Sequence, residues 1–243
     1  MLLVGGLLWA ASSALAFDHS HAWFGKVLQQ HVTNGLVDYR TLKQNPSDLS
    51  TYLREANGVE ESDFKQWRRE ERLAFLINLY NASVLKLIID NYPVKSIKDV
   101  GGFFHRPWDV EVVPLFGDVA TLSYLEHGLI RKYDEPRIHF ALVCGALGCP
   151  ELRNEAYMPD KLDAQLTDQG RKFMRDRSKN YVDANAKTLY LSPIFKWFPE
   201  DFKKDAGSIL KFVQRYRPDL PDAPWKIRYT DYNWSLNDRS ATR

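Results

Sequence analysis

The stretch "ERLAFLINLYNASVLKLIIDNY", Glu71 to Tyr92, decides the fold. It is apolar on nearly all sides over about six helical turns, and a helix without a polar face must lie inside a protein. Pro93 ends it, because a proline ring cannot continue the hydrogen-bond ladder. This predicts one central, largely buried helix over about residues 71–92. Asn78 and Asn81 stand three apart on one of its faces, and buried amides must find partners.

Upstream, "HAWFGKVLQQHV" repeats apolar positions (Trp23, Phe24, Val27, Leu28, Val32) at helical spacing, and Asn34-Gly35 reads as a turn. Downstream, Val110 and Val112 alternate with Asp109 and Glu111 before a Gly117-Asp118 turn, which predicts a two-stranded hairpin. Ser123, with Glu126 three residues on, has the capping-box pattern of a short helix. "RIHFALVC", Arg137 to Cys144, is a short apolar run between Pro136 and Gly145 and reads as a strand. Further helices are expected in "DKLDAQLTDQGRKFMRD" and "GSILKFVQRY". "KTLYLSPIFKWF" reads as a strand entering a helix, with Ser192 as cap and Pro193 at the first helical position, and "WKIRYTDYNWSL" as a terminal strand. The sum is an α+β (mixed α/β) protein: a small, mostly antiparallel sheet packed with several helices.

The opening "MLLVGGLLWAASSALAF" is an apolar run of signal-peptide length ending in small residues at Ala14 and Ala16. It predicts a signal peptide over 1–16, cleaved near Ala16, and hence an exported protein, periplasmic or secreted. The rest, 17–243, has the length of one globular domain and contains no linker or internal repeat. No later segment is expected to be long and apolar enough to cross a bilayer, which takes about 20 residues.

A net charge of +2 over 243 residues is too balanced for an electrostatic nucleic-acid footprint. No nucleic-acid partner is expected; the ligand is an unknown small molecule, peptide or glycan. Aromatic residues make up 13% of the chain, including 7 Trp. That content suits a sugar-stacking surface or the rim of a core.

Five motifs, "AFLINLYNASVL", "LEHGLIR", "PRIHFALVCGALGCPEL", "LYLSPIFKWFPEDF" and "DYNWSLN", resemble in this order the bacterial members of domain-of-unknown-function family 547 (DUF547). The resemblance runs from about Val32 to Asn237. It implies a domain boundary more firmly than a role, since the family has no settled biochemical activity. The chain departs from the family pattern at Leu76, where Trp is expected; that bears on packing.

The chemistry centres on the only two cysteines. Cys144 precedes Gly145, a flexible corner whose following amides can point at a substrate oxygen. A cysteine nucleophile needs a base within hydrogen-bond reach. Strand parity sets His139 and Cys144 on opposite faces, so the expected base is His127, with Asn81 orienting it. His139, Arg137 and Lys196 are expected at the substrate; Lys196 would lower the thiol pKa, and Arg137 and Arg153 would steer an anion. This reading is a cysteine-dependent hydrolase or acyl transferase. The competing reading is a non-catalytic binding module of the periplasm or cell surface, in which a Cys144-Cys149 disulfide across "GALG" shapes a recognition loop. A reducible bridge reconciles the two. No cofactor and no required metal are expected. Cleavage after Ala16 would leave Phe17-Asp18-His19 as an adventitious Cu(II) or Ni(II) site at His19, with His21 as an extra ligand.

Overall fold

A computed structural model describes residues 16–101, 106–221 and 223–242. The signal-peptide reading, over 1–16, lies outside the described residues except for Ala16.

The chain opens with α1 (Ala22–His31), whose last residue leads into a tight hairpin of β1 (Val32–Thr33) and β2 (Leu36–Val37). Asn34 and Gly35 both take positive φ in the turn, as the dipeptide predicted. Helices α2 (Tyr39–Gln44), α3 (Ser47–Asn57) and α4 (Glu61–Gln66) precede the long α5 (Arg69–Asn91). Glu71 starts α5 by accepting the Arg68 amide at 2.8 Å. From Leu73 to Ile89 nearly every residue of α5 is buried, and the first hydrophobic core gathers around it. By length and composition α5 meets the criterion for a membrane span, which corrects the expectation that no such segment exists. A core helix passes the same test, and 89% of its most apolar window is buried within the protein.

The predicted hairpin forms from β3 (Glu111–Leu115) and β4 (Asp118–Thr121), with Phe116 and Gly117 at the turn. The last layer contains α6 (Leu162–Arg175), β5 (Tyr181–Asp183), β6 (Thr188–Leu191), α7 (Ile194–Trp197), α8 (Pro199–Ala206), α9 (Ile209–Gln214) and β7 (Lys226–Tyr229). β5 pairs antiparallel with β6, and β6 pairs parallel with β7. The architecture is α+β, its strands divided among small separate sheets. Phe140, Phe195, Phe202 and Phe212 form the centre of a second hydrophobic core in this layer.

Two local readings are corrected. The segment "RIHFALVC" is not a strand: Pro136–Phe140 is a 3-10 turn, and the chain then runs on without a strand partner. Its backbone is held by a side chain, since Asn81 Nδ2 donates to the Ala141 carbonyl at 3.0 Å and Asn81 Oδ1 accepts from the Val143 amide at 2.9 Å. The run is apolar because it threads between the two cores, with Phe140 in the second and Ile138, Ala141 and Val143 in the first. The second correction concerns Ser123, which is already helical and makes no capping bond; Thr121 Oγ1 accepts the Tyr124 amide instead. Tyr124–Leu129 then forms a π-turn, a wider winding often found where a helix is bent for function.

Candidate functional site

A cavity of about 570 Å³ lies between the π-turn, the cysteine loop and the C-terminal segment. The loop is seated by the closing motif. Leu147 N–H donates to the Ser235 carbonyl, Gly148 N–H to the Asn233 carbonyl, and Asn237 N–H to the Gly145 carbonyl, each at 2.8 Å. Gly145 has φ +80°, and a Cβ there would meet Ile88 Cδ1 at 2.5 Å, so only glycine fits.

Cys144 and Cys149 are joined by a disulfide, with Cα atoms 6.4 Å apart. Both line the cavity. The Tyr232 hydroxyl donates to Cys149 Sγ at 3.0 Å and lies 3.4 Å from Cys144 Sγ. The Cys144 amide also points at the second sulfur, 3.1 Å away. A bonded sulfur carries no thiolate, so in this oxidised form Cys144 is not a nucleophile.

Each imidazole at the cavity has a different anchor. His139, buried, stands 2.7 Å through Nε2 from Asp201 Oδ2, and its ring stacks on Phe198 at 4.0 Å. Arg131 grips Asp201 with two N–H bonds of 2.8 Å. Burial opposes charge on Asp201, but the Arg131 and His139 hydrogen bonds outweigh it and hold the carboxyl well below the usual carboxylate range. Burial pushes the His139 imidazole down, against the pull of Asp201, which favours the neutral ring. His127 Nδ1 instead lies 3.2 Å from the Arg131 guanidinium. Burial first, and that cation second, lower its pKa. Among the described residues His139 Nδ1 takes no protein partner, leaving that nitrogen for the cavity its ring lines.

Glu126 is the group that sequence reasoning misassigned. It has no capping duty; it is 8% exposed, lines the cavity, and accepts a long bond of 3.4 Å from Tyr80 Oη. Burial raises its carboxyl to about 7, with Arg131 and Tyr80 opposing the shift and Asp201 adding to it. Trp108, Trp197, Tyr232 and Trp234 form a continuous aromatic wall, neighbouring ring centroids lying 4.5 to 6.0 Å apart.

The other predicted site residues stand elsewhere. Asn81 is occupied on the Ala141 and Val143 backbone and does not orient His127, which is a correction. Arg137 bonds Glu135 at 2.7 Å, Asp163 at 2.8 Å and Thr167 at 2.9 Å and lines a separate depression rather than the cysteine cavity. Arg153 is likewise paired with Glu155 and Asp168. Lys196 is exposed and outside the cavity lining, although its neighbour Trp197 belongs to it. The His19 ring packs edge-on against Trp67 at 4.4 Å with Nδ1 buried, and His21 is buried against the Tyr52 hydroxyl at 3.0 Å. A copper or nickel ion at His19 would have to pull that imidazole out of its packing. Among the described residues no group of three or more His, Cys, Asp or Glu is arranged to hold a metal ion.

Fold and site together define an α+β protein in which two cysteines and a carboxylate-anchored histidine share an aromatic-walled cavity. The model of a family described as "Protein of unknown function, DUF547" matches residues 64–174, and that stretch is similar to the family. The matched stretch carries Glu126, His127, His139 and both cysteines, while Asp201, Trp197 and Tyr232 lie beyond it. No curated protein and no solved structure matches the chain.

Proposed function

We propose that this chain is a thiol-dependent hydrolase or acyl transferase held in an oxidised, resting form. The observation that carries the reading is that Cys144 lines the same cavity as His139, whose Nε2 is anchored at 2.7 Å by the ionised Asp201. Nucleophile, base and orienting carboxylate are the three roles such chemistry needs. The base is His139 rather than His127, because a carboxylate partner raises basicity and an arginine partner lowers it.

Opening the bridge takes two electrons from two small thiols or one dithiol protein, which leave as a disulfide while Cys144 and Cys149 become thiols. His139 then accepts the Cys144 proton as sulfur bonds to an acyl carbon. The leaving alcohol or amine departs with that proton, and water or a second alcohol or amine takes the acyl group from the thioester. The bridge is of the kind that persists in oxidising compartments, which accords with an exported, periplasmic or secreted, chain.

Cys149→Ser frees Cys144 without added reductant and supplies the test. The variant is expected to hydrolyse an activated ester such as p-nitrophenyl acetate with a burst of nitrophenol, and to lose this activity when Cys144→Ala or His139→Ala is added. Asp201→Asn in the same background should slow it by orders of magnitude. A Cys149→Ser protein that is folded but inert toward the ester, or whose ester cleavage survives Cys144→Ala, would overturn the proposal. The remaining reading is then the binding module shaped by a permanent bridge.

A further inference from the structure

The cavity lining is richer than acyl transfer requires, and its aromatic wall reaches the sulfurs through Tyr232, 3.0 Å from Cys149 Sγ. Trp197 is 44% exposed, unusual for so large an apolar ring, and it lies within 5.8 Å of Trp234 and 4.8 Å of Tyr232, centroid to centroid. Trp108 extends the wall, its ring 6.0 Å from that of Trp234. The Glu126 carboxyl lines the same cavity. Its Oε2 is only 3.4 Å from Tyr80 Oη, and its Oε1 has no protein donor among the described residues. Ser123 and Arg106 also line the cavity, Arg106 paired with Asp109 at 2.8 Å, so hydrogen-bonding groups share the lining with the aromatic rings.

That combination selects among ligand chemistries. A purely apolar ligand would bury Glu126 and Ser123 without partners, at a cost for each. An anion would face Glu126, and a cation would face Arg106. A neutral pyranose ring satisfies both sides: its C–H face carries slight positive charge and meets the negative face of an indole, while its edge presents hydroxyls that donate to and accept from a buried carboxyl.

We propose that the cavity is a glycan subsite, with Trp197 and its aromatic neighbours stacking a neutral sugar ring and Glu126 holding its hydroxyls. The proposal deepens the thiol-enzyme reading by naming the substrate class as an acyl-bearing sugar, and rests on that reading only for the fate of the acyl group. Binding itself requires no free thiol.

The test therefore uses the oxidised full chain, in which the chemistry is off, and triacetylchitotriose, a neutral oligosaccharide carrying amide-linked acyl groups. Titration followed by tryptophan fluorescence is expected to give a saturable change at millimolar sugar or below. Trp197→Ala should weaken binding by about tenfold and Glu126→Ala by a comparable factor. Trp23→Phe, at a half-exposed ring outside the cavity, should leave binding unchanged. No saturable signal at millimolar sugar, wild-type affinity in Trp197→Ala, or tighter binding of tetramethylammonium than of the sugar would overturn the glycan assignment. None of these outcomes bears on the ester test with Cys149→Ser, so the two proposals fail separately.

Discussion

Two pairs of buried polar side chains, Asn78 with Asn81 and Glu126 with His139, differ in their hydrogen bonding, and only the second pair lines the cavity. Asn78 and Asn81 lie fully inside the first core, and each saturates a neighbouring backbone. Asn78 donates to the Tyr157 carbonyl at 2.7 Å and accepts the Tyr157 amide at 2.9 Å; Asn81 does the same for Ala141 and Val143. Each amide replaces the strand partner its segment lacks. Glu126 and His139, also buried, retain unused capacity: Glu126 has one long bond, and His139 is anchored through one nitrogen. Buried polar groups that are fully paired are scaffold; those left partly unpaired beside a cavity are available to a ligand.

The strongest challenge to the contrast is to remove a saturated amide. Asn81→Ala leaves the Ala141 carbonyl and the Val143 amide buried without partners, at about 1 to 3 kcal/mol for each group. The expected loss is about 4 kcal/mol in urea denaturation, with the cysteine loop destabilised at the same time because it continues from Val143. A loss below about 1 kcal/mol would show that water or a shifted backbone replaces the amide, and the distinction between scaffold and site would weaken.

The second test concerns Glu126 and has a defined sign. Burial raises its carboxyl from 4.5 to about 7, so the folded protein holds a proton that the unfolded chain releases near 4.5. Between those pH values the folded state binds more protons, and stability falls as pH rises through the window. A difference of this size corresponds to about 3 kcal/mol. Glu126→Gln, which keeps the shape and removes the ionisation, should therefore be more stable than the wild type at pH 8 by about that amount and match it near pH 4. Parallel stability curves for the two proteins over this range would mean that the carboxyl is solvated.

The same contrast explains what the sequence made legible. The α5 helix was readable because an all-round apolar run of this length has one physical solution, and the hairpin because Val110 and Val112 alternate with acidic residues before Gly117. The segment Arg137 to Cys144 was not, because a short apolar run between turn residues looks alike whether its backbone partner is a strand or a lone asparagine. That error propagated: strand parity placed His139 away from Cys144, although both line one cavity. Ser123 and Glu126 match a capping box by spacing, yet the chain enters that turn already helical, and no local pattern announces a π-turn. Asp201 is separated from His139 by 62 residues. Only the packing of α8 against the Pro136–Phe140 turn brings them together, so its partnership had no signal in the sequence. The cysteine pair was legible as a candidate bridge from its spacing and flexible loop together with the export reading, although a free catalytic Cys144 stood beside it as an alternative.

A smaller effect is expected from opening the bridge. Its ends are 5 residues apart, so closing the loop stabilises the fold by about 2 kcal/mol in the chain-entropy account. The loop is also held by backbone bonds to Asn233, Ser235 and Asn237. Reduced protein, or Cys149→Ser, should therefore stay folded, with a modestly lower Tm and unchanged far-ultraviolet circular dichroism. Global unfolding on reduction would make the bridge a structural staple and exclude a working reduced form.

The least effect on stability falls on a residue whose loss is expected to weaken binding by about tenfold. Trp197 keeps 44% of its surface exposed and contacts chiefly Tyr232 and Trp234, rings that also pack against each other at 4.5 Å. Truncation to Ala removes partial apolar burial from a site that solvent can refill, so it should cost no more than about 1 kcal/mol. A core tryptophan would cost several times that. The informative quantity is thus the pair of measurements on one variant: a near-native denaturation midpoint together with weakened sugar binding marks a surface held open for a ligand. A large stability loss would instead place Trp197 with the second core as a packing residue, and the aromatic wall would belong to the scaffold side of the comparison.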